Sequence, residues 1–258
     1  MLPSPHSPAH LAALRAEVKR IEGLGQGAGA QPVMPLGIDS VDARLAGGGL
    51  AASALHEVAG ACPDLSDEAA ATLFVAGLAG RKARGEPRGQ ELWALARRDL
   101  FAPALAQAGL PPDRLLYAEC RSDEEVLAVM EEGLRHGGLS AVVGEVGRCA
   151  MAAARRLQLA AEEGATMALM LRRWKRSARD PLADPSPAVT RWRIGCAPSV
   201  PLPVAGIGRA CWHAHLARQR GGEPHDWILE APDAEARFAL FSRPGDRADA
   251  AGGTRRAA

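Results

Sequence analysis

Aromatic residues and an excess of charge are both scarce in this sequence. Phe, Trp and Tyr make up 4% of the 258 residues, so aliphatic and small side chains must fill most of any core. The formal net charge is +1, which excludes a uniformly basic nucleic-acid binder and leaves room only for a local basic patch. Apolar residues reach 47%, which suits one α/β domain with additional elements, or at most two small domains.

Cysteine motifs, a signal peptide and long apolar runs are also missing. The five cysteines form no C-x-x-C pair and have no histidine at zinc spacing, which predicts reduced thiols and no metal site. The first residues, MLPSPHSPAH, lack the basic and apolar regions of a signal peptide. No apolar run approaches the ~20 residues of a membrane span. These features predict a cytoplasmic protein without a membrane partner.

The chain divides into four predicted parts. Residues 1–24 contain an amphipathic helix, an arm whose apolar face carries Leu11, Leu14, Val18 and Ile21. Residues 25–32 are a Gly-rich tether, 33–242 form the core, and 243–258 are a disordered tail. The arm either contacts another chain or packs on its own core, and the spacing alone does not decide between these two.

The core alternates strands with helices of 10–15 residues, which predicts a parallel sheet covered by helices on both faces. The predicted strands in this part are Ala54–Ala59, Glu91–Ala96, Arg114–Glu119, Ser140–Val146 and Thr166–Arg172. After Arg173 the strands follow one another without long helices, which predicts hairpins and an antiparallel extension of the sheet.

The stretch LHEVAGACPDLSDEAAA leads from a strand into a helix, where a phosphate-binding loop G-x-x-x-x-G-K-[ST] would lie. Counted from Gly60, the Gly, Lys and Thr positions hold Leu65, Ser66 and Asp67. Leu65 carries a Cβ, Ser66 carries no charge, and Asp67 adds a negative charge that would repel phosphate. We therefore expect no ATP and no Mg²⁺ here, and a helix N-terminus capped by its own acidic residues.

Two further positions lack the residues of an active nucleotide hydrolase. Glu145 stands near the end of the strand SAVVGEV, where an Asp would order Mg²⁺, and its expected role is to pair with a nearby arginine. Arg97 and Arg98 stand at the end of the strand ELWAL, where a carboxylate would activate water. Together with the loop, these positions predict a pseudo-enzyme without catalytic residues.

The segment RRWKRSAR is the strongest positive signal. It holds Arg172, Arg173, Trp174, Lys175, Arg176 and Arg179. The segment follows a parallel strand, so it is expected at the ligand-facing edge of the sheet, with side chains available to phosphates, bases or a protein partner. The alternative is a solvated loop that contacts neither.

Several of these stretches resemble the RecA family in sequence order. PLGIDSVDARLAGGGLAASALHEVAG resembles the segment that leads into the RecA phosphate-binding loop, and the likeness extends over residues 33–196. The combination of LHEVAG, LWALARRDLFAPALAQAGL, AVVGEV and ARRLQLAAEEG is similar to the ImuA family, RecA-like proteins of bacterial damage-inducible mutagenesis operons. The resemblance implies a RecA-like α/β fold.

The resemblance also implies a function. Proteins of this family act with ImuB, an inactive relative of Y-family polymerases, and with an error-prone C-family DNA polymerase in translesion synthesis during the SOS response to DNA damage. Of the two RecA loops that bind DNA, the first corresponds to the short stretch Gly147–Met151 and the second to the basic segment Arg172–Arg179. DNA and RecA stay open as further partners.

Two alternatives remain at this stage. An active DNA-dependent ATPase would show nucleotide-dependent protection of Leu55–Gly80 from hydrogen exchange. A RecA antagonist would lose its effect on strand exchange when residues 1–30 are deleted.

Overall fold

The computed structural model describes residues 32–86, 89–175, 179–199, 202, 204–206 and 208–241. The predicted arm, the tail, Arg176 and all of the tether except Pro32 lie outside these residues. No helix in the described part of the chain is both long and apolar enough to cross a membrane.

A twisted mixed sheet forms the centre of the fold. Its strands, in chain order, are β3 (Leu55–Gly60), β4 (Glu91–Leu95), β5 (Leu115–Glu119), β6 (Ala141–Val146), β7 (Met167–Arg172), β8 (Thr190–Ala197), β9 (Cys211–Gln219), β10 (His225–Glu230) and β11 (Ala239–Leu240). Within the described residues the spatial order is β11-β10-β9-β8-β3-β7-β6-β4-β5. The six strands from β8 to β5 are parallel, and β9, β10 and β11 extend the sheet in antiparallel fashion. The predicted fold class is confirmed. Two short strands, β1 (Val33–Met34) and β2 (Leu50–Ala51), pair separately from this sheet.

Helices cover both faces of the sheet. They are α1 (Asp39–Asp42), α2 (Leu65–Arg84), α3 (Ala102–Gln107), α4 (Asp123–His136) and α5 (Met151–Glu163), with a 3₁₀ turn at Pro112–Arg114. The long helix α2 buries Phe74 against the rings of Trp192 and Trp212, at centroid distances of 5.5 and 6.4 Å. On the other face α4 buries Val126, Met130 and Leu134. The sheet therefore separates two apolar clusters, and its carboxyl edge is free to hold loops.

The capping of α4 follows the sequence closely. Ser122 is the N-cap, and its hydroxyl accepts a hydrogen bond from the amide of Glu125 at 3.3 Å. The Glu125 carboxylate in turn accepts from the amide of Arg121 at 2.7 Å, one residue before the N-cap. The spacing of the two side chains thus fixed the start of the helix.

The connection from β7 to β8 differs from the predicted hairpins. β8 lies on the far side of β3 and runs parallel to it, with His56 opposite Thr190 and Gly60 opposite Ile194. Residues 173–189 therefore form a crossover, with no helix in its described parts, 173–175 and 179–189. Within this sheet the antiparallel pairs of the described strands are β8–β9, β9–β10 and β10–β11. A buried carboxylate on β3 holds this crossover, as described below.

Candidate functional site

The loop between β3 and α2 lies at the carboxyl edge of the parallel strands, where a RecA-like fold would hold phosphate. β3 ends at Gly60 and α2 begins at Leu65. Asp64 is the N-cap of α2, and its Oδ1 accepts a hydrogen bond of 2.8 Å from the amide of Asp67. The predicted capping of this helix by its own acidic side chains is confirmed.

Asp67 places a carboxylate inside the same loop. Its Oδ2 accepts a hydrogen bond from the amide of Cys62 at 3.0 Å, and its Oδ1 accepts one from the amide of Cys196 at 2.7 Å. The Asp67 residue is only 8% exposed. Two backbone amides beside the helix N-terminus are therefore already bound to an anion that belongs to the chain, and a phosphate would have to displace it.

The remaining loop positions carry apolar or neutral side chains. Leu65 is 85% exposed, and Ser66 is exposed as well. A Cβ at Gly60 would lie 3.0 Å from the backbone carbon of Asp67, so the glycine permits the close approach of α2 to β3. This glycine has a packing role that needs no ligand.

Glu145 in β6 belongs to a buried ion pair. Its Oε2 lies 2.7 Å from Nη2 of Arg173, and its Oε1 accepts a hydrogen bond of 2.7 Å from the indole N–H of Trp93. Burial raises the pKa of the Glu145 carboxyl, while Arg173 and the indole act in the opposite direction. Burial alone would lower the pKa of Arg173, but the carboxylates of Glu145 and Glu68 outweigh it and raise that pKa. The predicted pairing of Glu145 with an arginine is confirmed.

The first two arginines of the basic segment are buried. Arg172 is 3% exposed, and its Nη1 lies 3.0 Å from Oε1 of Glu57. Arg173 is 9% exposed and also lies 3.3 Å from Glu68. The expectation that both side chains are available to DNA or to a partner is wrong, because each one neutralises a carboxylate inside the protein.

The other described members of the segment reach the surface. Trp174 is half-buried, and its indole N–H donates to the carbonyl of Gly60 at 2.8 Å. Lys175 is exposed and lies 2.8 Å from Asp123. Arg179 is exposed and lies 2.6 Å from Asp184. Contact of these side chains with DNA or with a protein stays a prediction, as does the role of Arg176, which lies outside the described residues.

Glu57 in β3 organises a buried cluster that the sequence interpretation missed. Its two carboxylate oxygens accept hydrogen bonds from Arg172, from Arg191 in β8 at 2.7 Å, and from the hydroxyl of Ser186 at 2.9 Å. Ser186 belongs to the crossover, so the cluster joins β3 to both parallel neighbours and to the segment that passes between them. The signal in the sequence was a charged residue in the middle of the apolar strand LHEVAG.

At the end of β4, two arginines occupy the position where an active hydrolase would carry a catalytic carboxylate. Arg97 pairs with Asp99, and Arg98 lies 2.5 Å from Glu119. Both arginine side chains are more than half exposed. These contacts are surface ion pairs, and they give no indication of an activated water.

An open cavity of about 660 Å³ lies beside the β3–α2 loop, between the first half of α2 and α3. Its walls include the apolar side chains of Leu65, Leu73, Phe101 and Trp174. Phe101 is 68% exposed. The same walls also carry charged side chains of both signs, namely Asp64, Glu68, Arg97, Asp99 and Arg173, so the cavity is a mixed surface.

Cys62, Asp64 and Asp67 place potential metal-ligand atoms within 4.8 Å of one another. The Asp67 oxygens already accept hydrogen bonds from two amides, and an Asp64 oxygen accepts one from a third. The sequence-based expectation that the protein has no metal site stays a prediction.

Comparison with known proteins identifies the family. A scan against models of protein families found no match. Protein ImuA from Caulobacter vibrioides is 37% identical over 214 residues, which cover 79% of this chain and 85% of that protein, and the sequence from a second strain matches equally well. The crystal structure of SulA from Pseudomonas aeruginosa matches 46% of this chain and 98% of its own, with 24% identity and a TM-score of 0.39, and this likeness supports no conclusion. Because the identity to the Caulobacter proteins extends over most of both chains, the chain belongs to the ImuA family.

Proposed function

We propose that this protein is a non-catalytic, RecA-like component of the complex that carries out mutagenic translesion DNA synthesis after DNA damage. Its proposed partners are an ImuB-type protein and an error-prone C-family DNA polymerase. Membership of the ImuA family supports a role in the damage-inducible mutagenesis system. The contacts of the acidic side chains in the β3–α2 loop support the absence of nucleotide chemistry.

One observation carries the non-catalytic part of the proposal. The carboxylate of Asp67 is bonded to the amides of Cys62 and Cys196, in the place where a nucleotide-binding loop would offer amides to phosphate. At the position of the phosphate-binding lysine, Ser66 supplies no positive charge. A nucleoside triphosphate would therefore meet like charge without compensation, and such pairs repel by on the order of 1–4 kcal/mol at a few ångströms.

Calorimetry with ATP and Mg²⁺ tests this part directly. We expect no saturable heat at millimolar nucleotide, and no phosphate release in the presence of single-stranded DNA. A functional RecA protein under identical conditions is the positive control. Saturable binding that protects Leu55–Gly80 from hydrogen exchange would support the ATPase alternative and would contradict the proposal.

Co-purification with an ImuB-type protein and the C-family polymerase, with and without DNA, tests the assembly. We expect a complex that forms without nucleotide.

The exposed part of the basic segment is tested by changing Lys175→Glu together with Arg179→Glu, both of which lie at the surface.

This double substitution should weaken binding to DNA or to the ImuB-type protein without lowering Tm, because the two surface ion pairs contribute little to stability. Arg135→Glu together with Arg155→Glu, two exposed basic residues on α4 and α5, is the matched control because it changes the net charge by the same amount. Unchanged affinity for both ligands would exclude the segment as a binding surface.

A further inference from the structure

Two cysteines lie at the ends of neighbouring strands beside the β3–α2 loop. Cys62 follows β3 by two residues, and Cys196 is the last residue but one of β8. Both cysteines are exposed. They are 134 positions apart in the sequence, so only the parallel pairing of β3 with β8 brings them together.

The register of β3 and β8 ends just before the two cysteines. The ladder pairs Gly60 with Ile194, and the amide of Ala61 donates to the carbonyl of Ile194 at 2.9 Å. A Cβ built on Gly195 would lie 3.1 Å from the Cβ of Ala61, so these two residues are side by side. Continued by one more residue along each strand, this register would set Cys62 opposite Cys196.

Asp67 holds the two strand ends together. The amides of Cys62 and Cys196 each donate to one oxygen of its carboxylate, at 3.0 and 2.7 Å. The Sγ atom of Cys62 lies within 4.8 Å of carboxylate oxygens of Asp64 and Asp67. Burial and the negative charges of the same two carboxylates raise the pKa of the Cys196 thiol. The two carboxylates therefore lie beside the Cys62 thiol and influence the Cys196 thiol electrostatically.

We propose that Cys62 and Cys196 form a reversible intramolecular disulfide when the protein meets a small disulfide oxidant such as oxidised glutathione. Neighbouring strands are about 4.7–4.9 Å apart, and a disulfide needs Cα atoms about 4.4–6.8 Å apart. Residues that face each other across such a pair meet this requirement. The bond would fix the β3–α2 loop to the end of β8.

The disulfide forms in two successive thiol–disulfide exchanges. One cysteine thiolate attacks oxidised glutathione, which forms a mixed disulfide and releases one glutathione. The other thiolate then attacks the protein sulfur of this mixed disulfide and releases the second glutathione. The two cysteines lose two electrons and two protons, and two molecules of reduced glutathione carry them away.

The surroundings of Cys196 set the pH dependence of this reaction. Burial, together with the charges of Asp67 and Asp64, raises the pKa of the Cys196 thiol. Since the thiolate is the reactive form, oxidation should accelerate as the pH rises above neutrality. Among the cysteines that do not belong to this pair, Cys120 and Cys211 are buried and Cys149 is half-buried.

The full-length protein is incubated at defined ratios of oxidised to reduced glutathione, alkylated, and mapped by mass spectrometry without reduction. We expect a cross-linked pair of peptides containing Cys62 and Cys196, which reduction reverses. Cys62→Ser and Cys196→Ser should each abolish the cross-link, while Cys149→Ser should retain it. Oxidation should raise Tm for the wild type and for Cys149→Ser only, because the bond closes a very long loop.

Three results would overturn the proposal. They are glutathione adducts on both cysteines without a cross-link, a cross-link between two molecules, and a cross-link that survives either serine substitution. Each differs from the expected map, so the peptide analysis decides even if a serine variant folds poorly.

Discussion

Arg172 and Lys175 are three residues apart in one basic segment, yet one is buried and the other is exposed. Arg172 is paired with Glu57 inside the protein, and Lys175 is half exposed and contacts Asp123. Reversing the charge of Arg172 would place two carboxylates together in the core. The same change at Lys175 would break only a surface ion pair. Their effects on stability should therefore differ strongly.

We expect Arg172→Glu to lower the free energy of unfolding by about 3–5 kcal/mol or more, because it removes one of the two arginines that neutralise Glu57 and buries a second carboxylate beside it. Lys175→Glu should cost about 1 kcal/mol or less. Urea denaturation of both variants, followed by circular dichroism, gives the comparison. Equal losses would mean that the Glu57 cluster does not stabilise the fold.

The sequence predicted a concentration of positive charge here but not its division between core and surface. The pairing of Arg172 with Glu57 spans 115 positions, and that of Arg173 with Glu145 spans 28. A cluster of basic residues has the same composition whether its side chains face a buried carboxylate or water. Only the sheet order, which places β3 beside β7, distinguishes the two cases.

Glu91, at the start of β4, is a buried carboxyl group whose titration can be tested. Its side chain is fully buried, and no described residue donates a hydrogen bond to either carboxylate oxygen. Burial raises its pKa to about 8, although Arg114 lowers it in part, and the carboxylates of Glu86 and Asp113 add to the increase. The folded protein therefore keeps this carboxyl neutral at pH values where the unfolded chain has ionised it.

The sign follows from linkage. The stability that the neutral carboxyl contributes is fully present below about pH 4.5, and it is lost as the pH rises towards about 8. Glu91→Gln cannot ionise, so its stability relative to the wild type should increase with pH across this window and level off above it. Urea denaturation of both proteins at several pH values measures the difference. A constant difference would show that Glu91 titrates normally in the folded state.

Helix α2 packs closely against the turn that follows α3, and a glycine makes this contact possible. It crosses the turn after α3 so closely that a Cβ on Gly80 would lie 2.2 Å from the carbonyl oxygen of Gly109. Gly85, at the end of the same helix, has an ordinary helical φ of −70°, and a Cβ there would meet only the Lys82 carbonyl, at 3.4 Å. The two glycines have different roles although both lie in or beside one helix.

Gly80→Ala should destabilise the protein, even though alanine is favoured over glycine in a helix by about 1 kcal/mol. The backbone of the turn would have to move to relieve the clash, and overpacking typically costs about 1–3 kcal/mol. Gly85→Ala should be neutral or stabilise by up to about 1 kcal/mol. Thermal and urea denaturation check both, and a stable Gly80→Ala variant would show that the turn adapts without cost.

Most strands and helices were predictable because their signals are local. Strand β6 begins one residue after its predicted start, and Ser122 with Glu125 located the start of α4. The crossover from β7 to β8 was not predictable in this way. A connection between parallel strands without a helix has no periodic pattern, and the cluster around Glu57 that holds it joins residues from distant parts of the chain.

Across the whole molecule, the described residues bury two apolar clusters on opposite faces of one sheet. The described chain begins at Pro32, whose carbonyl accepts a hydrogen bond from the amide of Ala52 at 2.8 Å, next to the β1–β2 pair. Both clusters, in the part of the chain that the structure describes, consist of residues from 34 onwards, and the predicted arm lies outside the described residues. Whether the apolar face predicted for the arm contacts another chain or its own core is the question that a truncation answers.

We expect the arm to contact a partner, and removing residues 1–31 should then leave Tm and the cooperativity of unfolding unchanged. The truncated protein should fail to capture the ImuB-type partner in the co-purification assay. Leu14→Asp with Val18→Asp should reproduce that loss in the full-length chain, whereas Lys19→Ser with Arg20→Ser, on the opposite face of the predicted helix, should not. A large fall in Tm on truncation would instead place the arm on its own core, and unaltered capture by the truncated chain would assign the partner contact to residues 32–258.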